Sequence, residues 1–77
     1  MELKKIIANI LKVDASKITR ISSPDNLESW DSFNGLMMIS EIEKEFNITF
    51  TTKEVMDIKN FGDIEKLVNK KIHENRN

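Results

Sequence analysis

The chain has 77 residues, 39 % of them hydrophobic and none of them cysteine, and its formal net charge is −1. This composition is typical of a folded domain, and it excludes disulfides, thiolate metal sites and the concentrated basic surface that nucleic acids require. We expect a single domain over residues 1–77 that buries about 60 to 65 % of its unfolded surface, which is too small for a deep catalytic cleft.

The first predicted helix covers about three turns at the N-terminus. Lys4 and Lys5 precede an apolar run there, but Asn9 and Lys12 interrupt it and no small-residue cleavage site follows. We therefore reject a signal peptide, and no stretch is long enough for membrane insertion, so a cytoplasmic protein is expected. The apolar positions of this helix recur on one face: Leu3, Ile6, Ile7, Ile10 and Leu11.

The next segment, from Val13 to Asp31, has no sustained hydrophobic period and contains turn-forming residues at 22–26. Loops longer than about 12 to 15 residues are usually functional or disordered. Isolated apolar residues favour an ordered loop that is anchored to the core. The expected anchors are Val13, Ile18, Ile21 and Leu27.

The second predicted helix extends from about Ser32 to Phe46. At about 100° per residue, one arc is apolar and is assigned to the core. Phe33, Leu36 and Met37 fall on the opposite arc, where a solvated surface should be polar, and this cluster indicates a docking patch. The alternative is that Phe33 and Leu36 pack under the long loop. The core arc consists of Gly35, Met38, Ile39, Ile42 and Phe46.

The start of this helix is the candidate site. Asp31 and Ser32 can satisfy backbone N–H groups that lack an intrahelical partner, and the same groups favour a bound anion. A phosphate esterified to Ser32 would therefore lie where the backbone suits negative charge, although the pair could equally serve only as a cap. Gly35 costs the helix about 1 kcal/mol relative to Ala. It either allows a close approach to the backbone or has no role.

Two further helices are predicted in the C-terminal third. The sequence from Thr51 to Glu54 has a capping-box pattern that begins a short helix ending near Asp57. Asn60 can cap the last helix, with Asp63 in its first turn, and the residues from His73 onward are expected to fray. The sequence therefore predicts an all-α fold, a small four-helix bundle with three main helices, a short third helix and a long ordered loop between helices 1 and 2. The residues expected to pack inward are Val55, Met56, Ile58, Ile64, Leu67, Val68 and Ile72.

The histidine and glutamate residues do not occur at the spacings that acid–base or nucleophilic catalysis requires. His73 is the only histidine, and it has no partner for a nucleophile and base pair. Glu41, Glu43 and Glu45 point in different directions on a helix, so they are expected to be solvated and to offer negative charge to a basic partner. We predict neither a metal site nor an enzyme.

Three segments of the chain resemble the acyl carrier protein family, and together they cover most of its length. The first is Leu27-Glu28-Ser29-Trp30-Asp31-Ser32-Phe33, the second extends from Ile39 to Phe46, and the third is Asn60-Phe61-Gly62-Asp63-Ile64. In that family an Asp-Ser-Leu motif presents the serine that receives 4′-phosphopantetheine from coenzyme A. The resemblance matches Ser32 to the modified serine and Asp31 to the acidic residue that the transferase and its Mg²⁺ recognise.

The resemblance implies a carrier whose chemistry is performed by partners. A phosphopantetheinyl transferase (holo-acyl carrier protein synthase) would load Ser32, and an acyl- or aminoacyl-activating ligase and acyltransferase or synthase enzymes would use the resulting thioester. The family's second helix is its main recognition element, which implies a partner surface on this helix. That surface would comprise Phe33, Leu36, Met37, Ser40 and Glu41. A carried chain could shelter between the helices, beside Met38, Ile42, Ile58 and Ile64.

Departures from the family pattern bear on the cargo. Phe33 replaces the commoner leucine, while Asn34, Met37 and Lys44 occupy positions that are often acidic in fatty-acid carriers. Because electrostatic steering would be weaker, we expect a specialised stand-alone carrier. The alternatives are a peptidyl or aminoacyl carrier, such as a D-alanyl carrier, and a cofactor-free helical adaptor.

Overall fold

The computed structural model of the protein describes residues 3–74, which form four helices and no strand. The predicted all-α fold with a short third helix is confirmed. A single 3₁₀ turn at Ala15–Lys17 interrupts the first loop. The expectation that the chain frays from His73 onward is wrong for His73 and Glu74, which belong to the last helix, and residues 75–77 lie outside the described range. The helices are α1 at Leu3–Leu11, α2 at Ser32–Phe46, α3 at Thr52–Asp57 and α4 at Phe61–Glu74.

One hydrophobic core is built from α1, α2, α4 and the loops. The inward faces predicted from the 3.6-residue period are confirmed for these three helices, because their periodic apolar residues are buried or packed against the buried set. The α2–α3 loop adds Ile48 and Phe50, and the first loop adds Ile18 and Trp30. The helical core residues are Ile6, Ile7, Ala8, Leu11, Met38, Ile42, Phe61, Ile64 and Val68.

The long first loop is ordered and is anchored to the start of α4. Ile18 is buried, and the N–H of Phe61 donates to the carbonyl oxygen of Ser22 at 2.8 Å. The N–H of Gly62 donates to the carbonyl oxygen of Arg20 at 3.0 Å. The predicted anchoring is therefore confirmed, and it uses backbone hydrogen bonds as well as apolar contacts.

Side chains cap α3 and α4 as the sequence predicts. The Thr51 hydroxyl accepts from the N–H of Glu54 at 3.1 Å, and the Glu54 carboxylate accepts from the N–H of Thr51 at 2.8 Å. At α4, Asn60 Oδ1 accepts from the N–H of Asp63 at 2.9 Å. Both helix starts are therefore fixed by local sequence.

Two residues that were predicted to pack inward, Ile21 in the first loop and Met56 in α3, are largely exposed, so these two predictions are wrong. The neighbouring Ser22 and Ser23 occupy the buried positions of the loop, which turns Ile21 outward. In α3, Val55 packs against the core, and the adjacent Met56 lies about 100° around the helix from it. Val55 therefore faces the core and Met56 faces solvent.

Glu43 is the third correction, because it does more than solvate α2. Its Oε2 atom accepts from the N–H of Phe50 at 2.8 Å and so holds the loop between α2 and α3. Lys71 Nζ lies 2.9 Å from Glu54 Oε1 and 5.7 Å from the centre of the Phe50 ring. The loop and the start of α3 are thereby tied to the end of α4.

Candidate functional site

The start of α2 is capped by Asp31 alone. Its Oδ1 atom accepts from the N–H of Asn34 at 2.8 Å, and its carbonyl oxygen accepts from the N–H of Gly35 at 2.8 Å. The Asn34 side chain also donates to the carbonyl oxygen of Ser29 at 2.8 Å, which holds the preceding turn. Ser32, the first helical residue, is exposed. The expectation that both residues cap the helix is therefore corrected, since the cap leaves the Ser32 hydroxyl available.

A cavity of about 600 Å³ adjoins Ser32 and opens between α2, α3 and α4. Its walls are mainly apolar, and Asp31 and Ser32 are the polar residues that contribute to them. Met38, Ile58 and Ile64 line the cavity as predicted, whereas Ile42, which was also predicted to line it, does not. The remaining lining residues are Pro24, Trp30, Gly35, Leu36, Met38, Ile39, Val55, Ile58 and Ile64.

Trp30 is part of this site, although the sequence alone predicted no separate role for it. Its side chain is only 7 % exposed and lines the cavity. A Cβ atom placed on Gly35 would lie 3.5 Å from Trp30 Nε1. The indole ring is therefore the group that approaches Gly35. The 3.5 Å separation is an ordinary van der Waals contact, so an alanine would also fit at this position. The tryptophan directly before the Asp-Ser pair was the available sequence signal.

The apolar residues on the outward arc of α2 are exposed. Phe33 is 71 % exposed, Leu36 is 65 % exposed and Met37 is 45 % exposed, so the alternative in which Phe33 and Leu36 pack under the loop is wrong. We call these three residues the α2 patch. Ser40 is exposed and Glu41 is half-buried one turn further along the helix. All five residues predicted to contact partners therefore lie on α2, and their role in docking stays a prediction.

Potential metal ligands and acid–base groups do not converge in the part of the chain that the structure describes. Within residues 3–74, no group of three or more histidine, aspartate or glutamate side chains could hold a metal ion. His73 is exposed in the last turn of α4, far along the chain from Ser32. No helix among those residues is both long and apolar enough to span a membrane.

Comparisons with known proteins match this arrangement over most of the chain. The family model for the phosphopantetheine attachment site matches residues 2–68. An acyl carrier protein of Porphyromonas gingivalis strain ATCC 33277 is 33 % identical over 58 residues, which cover 75 % of this chain and 74 % of that protein. The acyl carrier protein of strain W83 gives the same values.

A solved structure also resembles the fold closely. The solution NMR structure of holo acyl carrier protein from Geobacter metallireducens aligns with a TM-score of 0.87 and 30 % sequence identity. The alignment covers 95 % of this chain and 84 % of that chain. The similarity therefore extends across the helices and the long loop that positions Ser32.

Proposed function

Because the chain belongs to the acyl carrier protein family, whose prosthetic group is phosphopantetheine, we propose that Ser32 is the attachment residue and that residues 1–77 form one carrier domain. The observation that carries this proposal is the exposed hydroxyl at the first position of α2, beside an apolar cavity. Proteins of this family are carriers on which synthases and transferases act, rather than catalysts.

The surroundings of Ser32 suit a phosphodiester. Among residues 3–74, none accepts a hydrogen bond from the N–H of Ser32 or of Phe33, while the N–H groups of Asn34 and Gly35 bond to Asp31. The two remaining N–H groups and the positive end of the helix dipole stabilise a phosphate ester at this position. Once bound, the group supplies a terminal thiol that carries an acyl chain as a thioester.

Asp31 is proposed to have two functions. One carboxylate oxygen fixes the start of the helix, and the exposed carboxylate also offers negative charge beside the Ser32 hydroxyl. A phosphopantetheinyl transferase can use that charge to orient Mg²⁺ and coenzyme A during loading. Asp31 therefore positions the acceptor residue and contributes to recognition by the transferase.

The α2 patch, with Ser40 and Glu41, is the proposed docking surface for the transferase, the activating ligase and the acyltransferase or synthase enzymes. Three exposed apolar side chains on one helix favour an apolar contact surface on these partners. Asn34 and Met37 add no negative charge to this end of α2. This favours a specialised carrier with its own partners, and elongation by a fatty-acid synthase system at the rates of its usual carrier would contradict it.

The proposed cargo is an acyl chain, because the cavity beside Ser32 has mainly apolar walls. A charged aminoacyl group would lose hydration against these apolar walls, where Asp31 is the one charged residue in the lining. The test is to offer the loaded protein to acyl-activating and amino-acid-adenylating enzymes encoded beside its gene. Thioester formation with the amino acid alone would contradict the acyl assignment.

The attachment site is tested by intact-protein mass after incubation with coenzyme A and a promiscuous transferase. The wild-type protein should gain one phosphopantetheinyl group, and Ser32→Ala should gain none while its circular dichroism is unchanged. Ser29→Ala, three residues earlier, is the matched control and should load normally. A cofactor-free adaptor would show no gain in any variant, and loading of Ser32→Ala would refute the site.

A further inference from the structure

The indole N–H of Trp30 has no acceptor among residues 3–74. Within residues 3–74, Trp30 donates one hydrogen bond, from its backbone N–H to the carbonyl oxygen of Leu27 at 3.0 Å, and none from Nε1. Every fully buried side-chain nitrogen or oxygen of the described residues has a hydrogen-bond partner. Trp30 Nε1 must therefore retain some accessible surface, although the residue as a whole is only 7 % exposed.

That nitrogen lies on the edge of the indole ring nearest to Gly35, a lining residue of the cavity. Trp30 and Gly35 both line the cavity, and Nε1 is the indole atom closest to the Cβ position of Gly35, at 3.5 Å. The absence of a side chain on Gly35 keeps this edge of the ring uncovered. Asp31 and Ser32 are the lining residues with polar side chains, and neither accepts a hydrogen bond from Trp30 Nε1 in the structure.

A buried tryptophan usually donates its indole N–H, because an unmade hydrogen bond in an apolar space costs free energy. A phenylalanine would fill an apolar wall without this requirement. The indole donor, close along the chain to the residue proposed to carry the cofactor, is therefore available to an acceptor on a ligand in the cavity.

Resting on the proposed attachment at Ser32, we propose that Trp30 Nε1–H donates a hydrogen bond to a carbonyl oxygen of the tethered chain. The carbonyl belongs either to an amide of the pantetheine arm or to the carried acyl group. In both cases Trp30 positions the chain at a defined depth in the cavity, and the apolar walls alone cannot do this because apolar contacts are not directional.

The protein provides a direct reporter, because Trp30 is its single tryptophan. A nitrogen-15 correlation spectrum should contain one indole cross-peak, which is recorded for the apo, phosphopantetheinyl, octanoyl and 3-oxooctanoyl forms. We expect the indole proton to move downfield and to exchange more slowly with solvent in at least one loaded form. Movement in the phosphopantetheinyl form assigns the acceptor to the arm, and movement only in acyl forms assigns it to the cargo.

The two proposals fail separately. Intact mass establishes loading for each sample, so a missing mass gain contradicts the attachment at Ser32. A confirmed mass gain with no downfield movement in any loaded form overturns the role of Trp30 and leaves the attachment intact. Gly35→Ala places a methyl group beside Nε1 and keeps the reporter, so its downfield movement should be smaller. An equally large downfield shift of the indole proton in Gly35→Ala would contradict the proposal that the tethered chain reaches Nε1 beside Gly35.

Discussion

The starts of α2 and α4 are capped in the same way and are used differently. Asp31 caps α2 through the N–H of Asn34 at 2.8 Å, and Asn60 caps α4 through the N–H of Asp63 at 2.9 Å. At α4 the first residue, Phe61, is 2 % exposed. At α2 the first residue, Ser32, is exposed to solvent.

The difference lies in what takes up the free N–H groups. The first loop supplies two carbonyl oxygens to α4, from Ser22 and Arg20, and so fixes that helix start inside the fold. No described segment does the same for Ser32 at α2. The same type of side-chain cap therefore begins a helix that is fixed inside the fold at α4 and a helix whose first residue is exposed at α2.

The largest effect on stability is expected at the glycines that follow these two starts. A Cβ atom on Gly62 would lie 3.2 Å from both the Arg20 carbonyl oxygen and Asn60 Oδ1. The Arg20 oxygen would have to shift by a few tenths of an ångström, and because it is held by the N–H of Gly62, Gly62→Ala should cost about 1 to 3 kcal/mol. Gly35→Ala makes only an ordinary contact and should stabilise α2 by up to about 1 kcal/mol. Urea unfolding of both variants measures this, and equal losses would remove the distinction.

The caps themselves should have similar effects on stability and different effects on loading. Asp31→Ala and Asn60→Ala should each cost about 1 kcal/mol, because each removes one N-cap hydrogen bond. Thermal unfolding checks this. The loading rate with a phosphopantetheinyl transferase should fall for Asp31→Ala alone. A similar fall for Asn60→Ala would mean that general loss of stability, rather than the position of Asp31, limits loading.

The start of α3 differs from both because a second side chain, the Glu54 carboxylate, completes its cap and pairs with Lys71. The hydrogen bond from Lys71, followed by that from the N–H of Thr51, holds the pKa of Glu54 below its ordinary value of 4.5. A lowered carboxyl pKa stabilises the fold above the ordinary value, and this stabilisation is lost as the pH falls through the lowered pKa.

Lys71→Met tests this contribution, since it removes the charge and keeps an apolar stem against Phe50. The variant should unfold at a lower temperature than the wild type at neutral pH. The difference between the two midpoints should shrink at acid pH, where Glu54 is protonated in both proteins. If the difference between the two unfolding midpoints did not change with pH, Lys71 would stabilise the fold by packing alone.

The smallest effect on stability is expected at the α2 patch. Met37→Glu should change the free energy of unfolding by less than about 0.5 kcal/mol because the residue is 45 % exposed and lies outside the buried core. It should slow turnover by partner enzymes, since a charge in an apolar contact loses hydration. Asn69→Glu, which introduces the same charge at an exposed site on α4, is the control. A large loss of stability in Met37→Glu would place the residue in the core.

Local sequence rules predicted most of this fold. The periods of α1, α2 and α4 and the caps at Asp31, Thr51 and Asn60 depend on neighbouring residues, and the structure confirms them. The direction of Ile21 could not be predicted, because it is fixed by contacts that form only after the loop docks on α4.

The candidate site divides in the same way. The role of Ser32 was predicted from the resemblance of the motif around it to a known family, and the exposed α2 patch was predicted from helical spacing. The packing of the Trp30 indole against Gly35 required the three-dimensional arrangement of the loop and α2. Contacts between the loop and α2 cannot be predicted from the hydrophobic periodicity of one helix.

The position of the attached group tests the central claim most directly. The wild-type protein is loaded with coenzyme A and a transferase, digested, and analysed by tandem mass spectrometry that localises the added mass to one residue. The account predicts a single phosphopantetheinyl group on Ser32. Addition at any other residue, or no addition to the folded protein, would contradict it.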